Sequence, residues 1–176
     1  KYINVIDAAA TGAMNGLQMM GGIGAMLLAF IALIAMVNGM LEAGGAWLGI
    51  EQLTLERVLG SILQPLAWAL GIPWDEAQLA GSLIGQKFIL NEFVAYVNYS
   101  EVATQLSAHS QAIVIFALCG FANLSSIAIL LGGLGAVAPS RRDEISRYGF
   151  RALLAASLSN LLSAALAGFF LTLSGA

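Results

Sequence analysis

"LAGSLIGQKFILNEFVAYVNYSEVATQL", residues 79–106, sits among long apolar runs yet carries Gln86, Lys87, Asn91, Glu92, Asn98 and Glu101. An ordinary membrane span does not hold six such side chains. Two arms of about 13 residues, at 1.5 Å per residue, each reach about 20 Å. That distance runs from a bilayer surface to mid-membrane and back, but not across a hydrocarbon core of about 30 Å. The spacing predicts a re-entrant hairpin over 79–106 that turns near Asn91 and Glu92. Irregular backbone at that depth is tolerated only where it packs in protein or lines a wet cavity.

The rest of the chain supports a membrane setting. It is 59% hydrophobic and 10% charged, with a mean hydropathy of +0.85. Soluble domains carry about 25% charged residues. The apolar runs are continuous and do not alternate, which argues for helices and against a β-barrel. The expected class is therefore an all-α integral membrane protein. A net charge of −3 offers no basic surface for nucleic acid. Lys1 in place of an initiator Met, and Ser-Gly-Ala at the end, read as a piece of a longer chain, with no cleavable signal at residue 1. Cys119, the single cysteine, reads as a small buried packing residue.

Working outward from the hairpin, the sequence divides into further segments. Residues 1–21 read as an interfacial helix leading into a first span, with Ala8, Gly12 and Gly16 forming a small-residue stripe that permits close helix packing. Residues 22–41 form an apolar transmembrane helix. Glu42, Glu51, Glu56 and Arg57, with Trp47, mark 42–78 as an outer interfacial loop with helices, in which Pro65 interrupts a marginal apolar run. Residues 102–140 hold no Asp, Glu, Lys or Arg. As one helix they would run about 58 Å, nearly twice the hydrocarbon core. "GFANLSS", residues 120–126, supplies a break, because Gly120 weakens a helix and Asn and Ser compete for backbone bonds. The expected element is a broken transmembrane helix over 107–139. "PSRRDEISRYGFR" holds four of the seven basic residues, so 140–151 reads as a cytoplasmic loop. Residues 152–173 form the last span, with Ala152, Ala156, Asn160, Ala164 and Gly168 as its packing face. This order puts the C-terminus and the mouth of the hairpin outside, and Lys1 inside.

Glu92 is the costly residue, since a carboxylate at membrane depth usually marks a substrate or ion pathway. Lys87 is available to partner it or to reach the interface. Glu92 and Asn123, if they meet at a polar cavity, suit a hydroxyl-rich neutral solute: the carboxylate accepts, and the amide donates and accepts. Phe121 could add an apolar face for a ring. The duller alternative makes these groups helix glue in a non-transporting scaffold or gate-like protein. No enzyme signature competes. His109 is the only histidine, no metal-ligand spacing is present, and "GGLG" at 132–135 reads as helix packing.

"GQKFILNEFVAYVNY" (85–99) resembles a signature of the concentrative nucleoside transporters, G-x-K-x-x-x-N-E-F-V-A ending in an aromatic. "FALCGFANLSSIAILLGGLGAVAP" (116–139) is similar to that family's second signature block, and "NVIDAAATGAMNGLQ" (4–18) is also typical of it. The resemblance covers about Asn4 to Leu173 without departure in these blocks. It implies the C-terminal portion of a nucleoside-transporter fold: part of a cation-coupled importer, trimeric, multi-pass in the plasma membrane, of a bacterial inner membrane kind. By motif matching, Glu92 and Asn123 would bind ribose hydroxyls, Phe121 would line the base, and Ser126 would contact ribose. Asn91, beside Glu92 in the motif, joins the same substrate set. The resemblance implies no organic cofactor and no metal ligand in this segment. The coupling ion, sodium or proton, would be held by segments preceding it.

Overall fold

The computed structural model describes residues 3–124, 126–127 and 139–175, all of them helix or short connection. Two compact units divide at residue 52.

The first unit is one helix, α1 (Val5–Leu48). Asn4 caps it: its side-chain oxygen accepts from the Asp7 amide at 2.8 Å, and Asp7 in turn accepts from the Ile3 amide at 3.0 Å. Those reciprocal bonds satisfy donors that a helix start leaves orphaned. The helix is continuous across residues 21 and 22, so the first segment leads into the apolar one without a break. The helix also runs past Leu41, so Glu42 to Leu48 are helical and not loop. Ala, Leu and Met carry it forward, and it stops where Gly49 takes φ 70°, a left-handed conformation that glycine adopts without strain.

The second unit begins with α2 (Leu55–Ala69), capped by Thr54 and continuous through Pro65. The proline interrupts nothing: its missing N–H removes one intrahelical bond, and packing on the next helix supports the rest. A turn with Gly71 at φ 103° leads to α3 (Trp74–Ile89). Trp74 to Gln78 therefore belong to α3, five residues earlier than the expected start at 79. Asp75 and Glu76 in its first turn complement the positive end of the helix dipole.

Helices α2 and α3 pack almost backbone to backbone. A Cβ on Gly81 would lie 2.9 Å from the Leu63 carbonyl carbon, one on Gly85 2.8 Å from Leu59 Cβ, and one on Gly60 2.7 Å from the Gln78 oxygen. Ala77, Gly81 and Gly85 recur every four residues, a stripe the sequence carried and our reading missed.

After α3 the backbone leaves the helix at Leu90 and re-enters at once as α4 (Glu92–Val102), extended by a 3-10 turn over Ala103–Gln105. Asn98 of α4 donates to Gln86 of α3, and Gln86 donates to Ser82 at 3.1 Å, so α4 runs back along α3. Next comes α5 (Ala108–Leu118), capped by Ser107. The Ser107 hydroxyl and amide both donate to Glu76 Oε2, at 3.0 and 3.1 Å, which ties the first turns of α3 and α5 together. Burial pushes the Glu76 carboxyl up, but hydrogen bonds from Ser110 and Ser107 outweigh it and hold the group below the usual carboxylate range.

Helix α5 stops at Leu118, and helical backbone resumes at Leu124. Cys119 caps α5 and is exposed, not buried, because the chain leaves the helix there. Ser125 and residues 128–138, with the "GGLG" run and most of the expected second arm, lie outside the described residues. The chain is described again from a 3-10 turn at Pro139–Arg141, followed by α6 (Arg142–Ser174). The expected loop over 140–151 is thus mostly helix. Asp143 and Glu144 suit its first turn, Arg141 pairs with Glu144 at 2.6 Å, and arginine is a good helix former.

The core of this unit joins Ala67, Ala77, Ala80, Ala95, Ala117 and Ala164 to Leu83, Ile84, Ile113 and Leu118. Small side chains at the contacts let helices approach closely, as membrane interfaces require. The packing face of α6 serves α5. Ala164 is buried, and a Cβ on Gly168 would come within 2.6 Å of Ile113 Cδ1. Ala152 and Ala156, from the same predicted stripe, are exposed. Among the described residues, Ile31–Leu48 and Ser146–Ser174 are long and apolar enough to cross a membrane.

Candidate functional site

Two backbone breaks carry the chemistry. The first separates α3 from α4. Asn91 has extended backbone, and its side-chain oxygen accepts from the Val94 amide at 2.9 Å, which makes it the N-cap of α4. Glu92 is consequently the first helical residue. The second break follows α5. There the Asn123 side-chain oxygen accepts from the Ser126 amide at 2.8 Å, while the Ser126 hydroxyl donates to the Asn123 carbonyl at 2.6 Å and accepts from the Asn123 amide at 3.4 Å. This is a reciprocal cap built from the very residue types that compete with helix interiors.

The two caps meet. Asn123 Nδ2 donates to Glu92 Oε2 at 2.8 Å, across 31 residues of sequence. Asn123 is buried and Glu92 half-buried. The Glu92 carboxylate therefore lies at the N-terminal ends of two helical stretches, where orphan N–H groups and the helix dipole both favour negative charge. A carboxylate offers about four lone-pair sites. One goes to Asn123, the only side chain that donates to Glu92 among the described residues.

Of the five predicted site residues, the structure links Glu92, Asn123 and Ser126 in one chain of hydrogen bonds. Asn91 adjoins them through the backbone, with its oxygen engaged in capping. Ser126 is buried and also engaged in its own cap. Phe121 stands apart, two residues before Asn123, with its ring 60% exposed.

Lys87 does not pair with Glu92. It is fully buried and donates to Asn160 Oδ1 of α6 at 2.6 Å, with its ammonium 4.9 Å from the Phe88 ring centroid. In the sequence pattern Asn160 is one position of the small-residue stripe. The available signal was an amide at the centre of an Ala/Gly face, where nothing polar is needed for packing. Behind the breaks, Phe88, Ile89, Leu124, Leu153, Leu154 and Ser157 line an apolar pocket of about 260 Å³, too poor in polar groups to hold a sugar.

Comparison with known proteins adds to this geometry. The profile of the family described as "Na+ dependent nucleoside transporter C-terminus" matches residues 1–168. The uncharacterized transporter YutK of Bacillus subtilis is 56% identical over 168 residues, covering 96% of this chain and 42% of YutK. The nucleoside permease NupC of Helicobacter pylori is 48% identical over 178 residues, covering 98% of this chain and 43% of NupC. Sodium/nucleoside cotransporter 1 of Oryctolagus cuniculus is 34% identical over 191 residues, covering 100% of this chain and 29% of the cotransporter. Among solved structures, CNTnw in an inward-facing substrate-bound state superposes with a TM-score of 0.93 at 56% identity, covering 100% of this chain and 44% of CNTnw. The chain spans less than half the length of these relatives.

Proposed function

The chain belongs to the concentrative nucleoside transporter family, and we propose that it supplies the ribose-binding half of the substrate site in a cation-coupled nucleoside importer. The observation that carries this reading is the Asn123–Glu92 hydrogen bond at two converging helix starts. It leaves carboxylate lone pairs for ribose hydroxyls, which donate well to an ionised acceptor. Phe121, exposed two residues before Asn123, is assigned to the base. Ser126 and Asn91 hold the two caps at the edge of the site.

In this reading α3 and α4 form a re-entrant hairpin. Helix α5 and the helix resuming at Leu124 form a broken span, the arrangement by which many transporters expose backbone and polar groups near the midplane. Helix α6 is the last span and α1 belongs to the scaffold of a homotrimer. The protein lies in the plasma membrane, a bacterial inner membrane, with the arginine-bearing start of α6 in the cytoplasm and the C-terminus outside. The coupling cation, sodium or proton, is assigned to the part of the relatives that this chain does not cover.

The test is binding of uridine to the intact transporter by calorimetry, beside 3′-deoxyuridine. Saturable uridine binding that weakens without the 3′-hydroxyl is expected. Absence of saturable nucleoside binding would leave the polar cluster as helix glue in a scaffold.

A further inference from the structure

Asn160 sits between the two breaks. Its side-chain oxygen accepts from Lys87, two residues before the end of α3, at 2.6 Å. Its Nδ2 donates to the Phe116 carbonyl at 2.9 Å, in the last turn of α5. The orientation of the amide is set by its partners: a lysine ammonium only donates and a backbone carbonyl only accepts, so the oxygen must face Lys87 and the nitrogen Phe116. An ionised aspartate in the same place would keep the acceptor toward Lys87 but have no donor for Phe116. Gly120 presses on the same group. A Cβ there would stand 2.6 Å from the Asn160 carboxamide carbon and oxygen. At the end of α5 the Phe116 carbonyl accepts from the Cys119 amide at 3.3 Å, and Asn160 adds a second, shorter bond supplied from another helix. The charge of a fully buried lysine also needs a partner at this depth.

We infer that Asn160 is a positioning residue for the sugar site: through Lys87 it holds the end of α3, and through Phe116 and Gly120 the end of α5, so that Glu92 and Asn123, each just past its break, stay within hydrogen-bond reach. This rests on the ribose-binding reading of the Glu92–Asn123 pair. Asn160 itself makes no bond to either residue among those described. Its effect passes through the backbone at Leu90–Asn91 and at Cys119–Ala122.

The discriminating substitution is Asn160→Asp in the intact transporter. It preserves size and gives Lys87 a charged acceptor, but removes the donor to Phe116. A role limited to neutralising Lys87 predicts binding unchanged or tighter. The positioning role predicts uridine binding weakened severalfold, up to the loss that Asn123→Ser itself causes, with a smaller loss for 3′-deoxyuridine, so the ratio between the ligands falls. The loss should also vanish to within about twofold when Asn123→Ser is already present, because residues acting through one contact are not additive. Gly120→Ala perturbs the same amide without touching the lysine, should reproduce the pattern, and serves if Asn160→Asp does not fold. Parent-like uridine binding by both variants, or equal losses with and without Asn123→Ser, would overturn the inference while leaving the ribose site standing. A parent that binds no nucleoside would overturn both.

Discussion

Replacing Glu92 by glutamine tests the site with the least disturbance of shape. The carboxylate accepts one bond from Asn123 at 2.8 Å, and in the proposed site its other lone pairs serve ribose hydroxyls. In Glu92→Gln the amide oxygen can still accept from Asn123 Nδ2. Its NH2 then faces the sugar and presents donors where ribose hydroxyls need acceptors. Hydrogen bonds to a charged group contribute about 1.5–3 kcal/mol, against about 1 for neutral pairs. One such bond lost therefore weakens uridine binding by roughly tenfold or more, since about 1.4 kcal/mol is a decade. The structure also selects the companion variant. Asn123→Ala would remove a helix cap as well as the bond to Glu92, and lost caps cost about 0.5–2 kcal/mol of stability. Asn123→Ser keeps a competent cap but is too short to reach Glu92, so it isolates the contact. It should weaken binding severalfold, less than Glu92→Gln. Calorimetric titration of the intact transporter with uridine and 3′-deoxyuridine reads both. The penalties should shrink for the deoxy ligand, whose hydroxyl is already gone. If both variants fold and bind both ligands like the parent, the reasoning from lone pairs to ribose fails.

Three further outcomes follow from other parts of the fold. Single cysteines at Gln105 and Ser140 should label from opposite sides of the membrane, and labelling from one side would refute the span order. Gly81→Val puts a branched side chain against the Leu63 backbone, which cannot yield as a flexible side chain would; overpacking of this kind costs about 1–3 kcal/mol, so melting in detergent should fall by several degrees, and parent-like melting would show that α2 can move away. Glu76 is held below its ordinary value of 4.5, so its hydrogen bonds stabilise the fold above that pH and lose their effect as pH falls through the lowered value; the melting difference between parent and Glu76→Gln should be greatest near neutrality and close at acid pH, and a difference that grows on acidification would reverse the sign we assign.

Where the sequence was legible, it was so because membrane physics leaves few choices. Lys87 and Glu92 inside an apolar run pointed to an irregular segment, and α3 gives way to α4 at Leu90–Asn91, close to the expected turn. Asn and Ser in "GFANLSS" pointed to a helix interruption, and Asn123 and Ser126 do bond each other's backbone there. Gly120 has a second reason that the local pattern did not give: Asn160 stands against it, where a Cβ would clash. Contacts between distant segments were the illegible part. Nothing in the local pattern says that Lys87 finds Asn160, 73 residues away, in preference to Glu92 five residues on. Charge runs misled at both ends of the chain. Glu42 and Arg142 looked like loop, yet both side chains are compatible with helix, and the real stops are set by Gly49 at φ 70° and by the 3-10 turn at Pro139–Arg141.

The spacing of Lys87 and Glu92 has a physical reason beyond the hairpin. Lys87 lies in the last turn of α3, where unpaired carbonyls make the helix end negative, and Glu92 opens α4, where unpaired amides make it positive. Each charge occupies the end that favours it. Leu90 and Asn91, between the helices, reverse the chain and hold the two charges on separate helix ends. Had the two charges paired, the carboxylate would have spent its acceptor capacity on an ammonium that no neutral solute can displace cheaply. Assigning the lysine to Asn160 and the carboxylate to Asn123 leaves Glu92 hydrogen-bonded to a neutral side-chain amide at two helix starts, with the Lys87 ammonium acting on it through space and not through a direct bond. Neutral donors can be exchanged or supplemented by hydroxyls at little electrostatic cost. In the proposed site that arrangement leaves acceptor positions of the carboxylate open to an uncharged, hydroxyl-bearing solute.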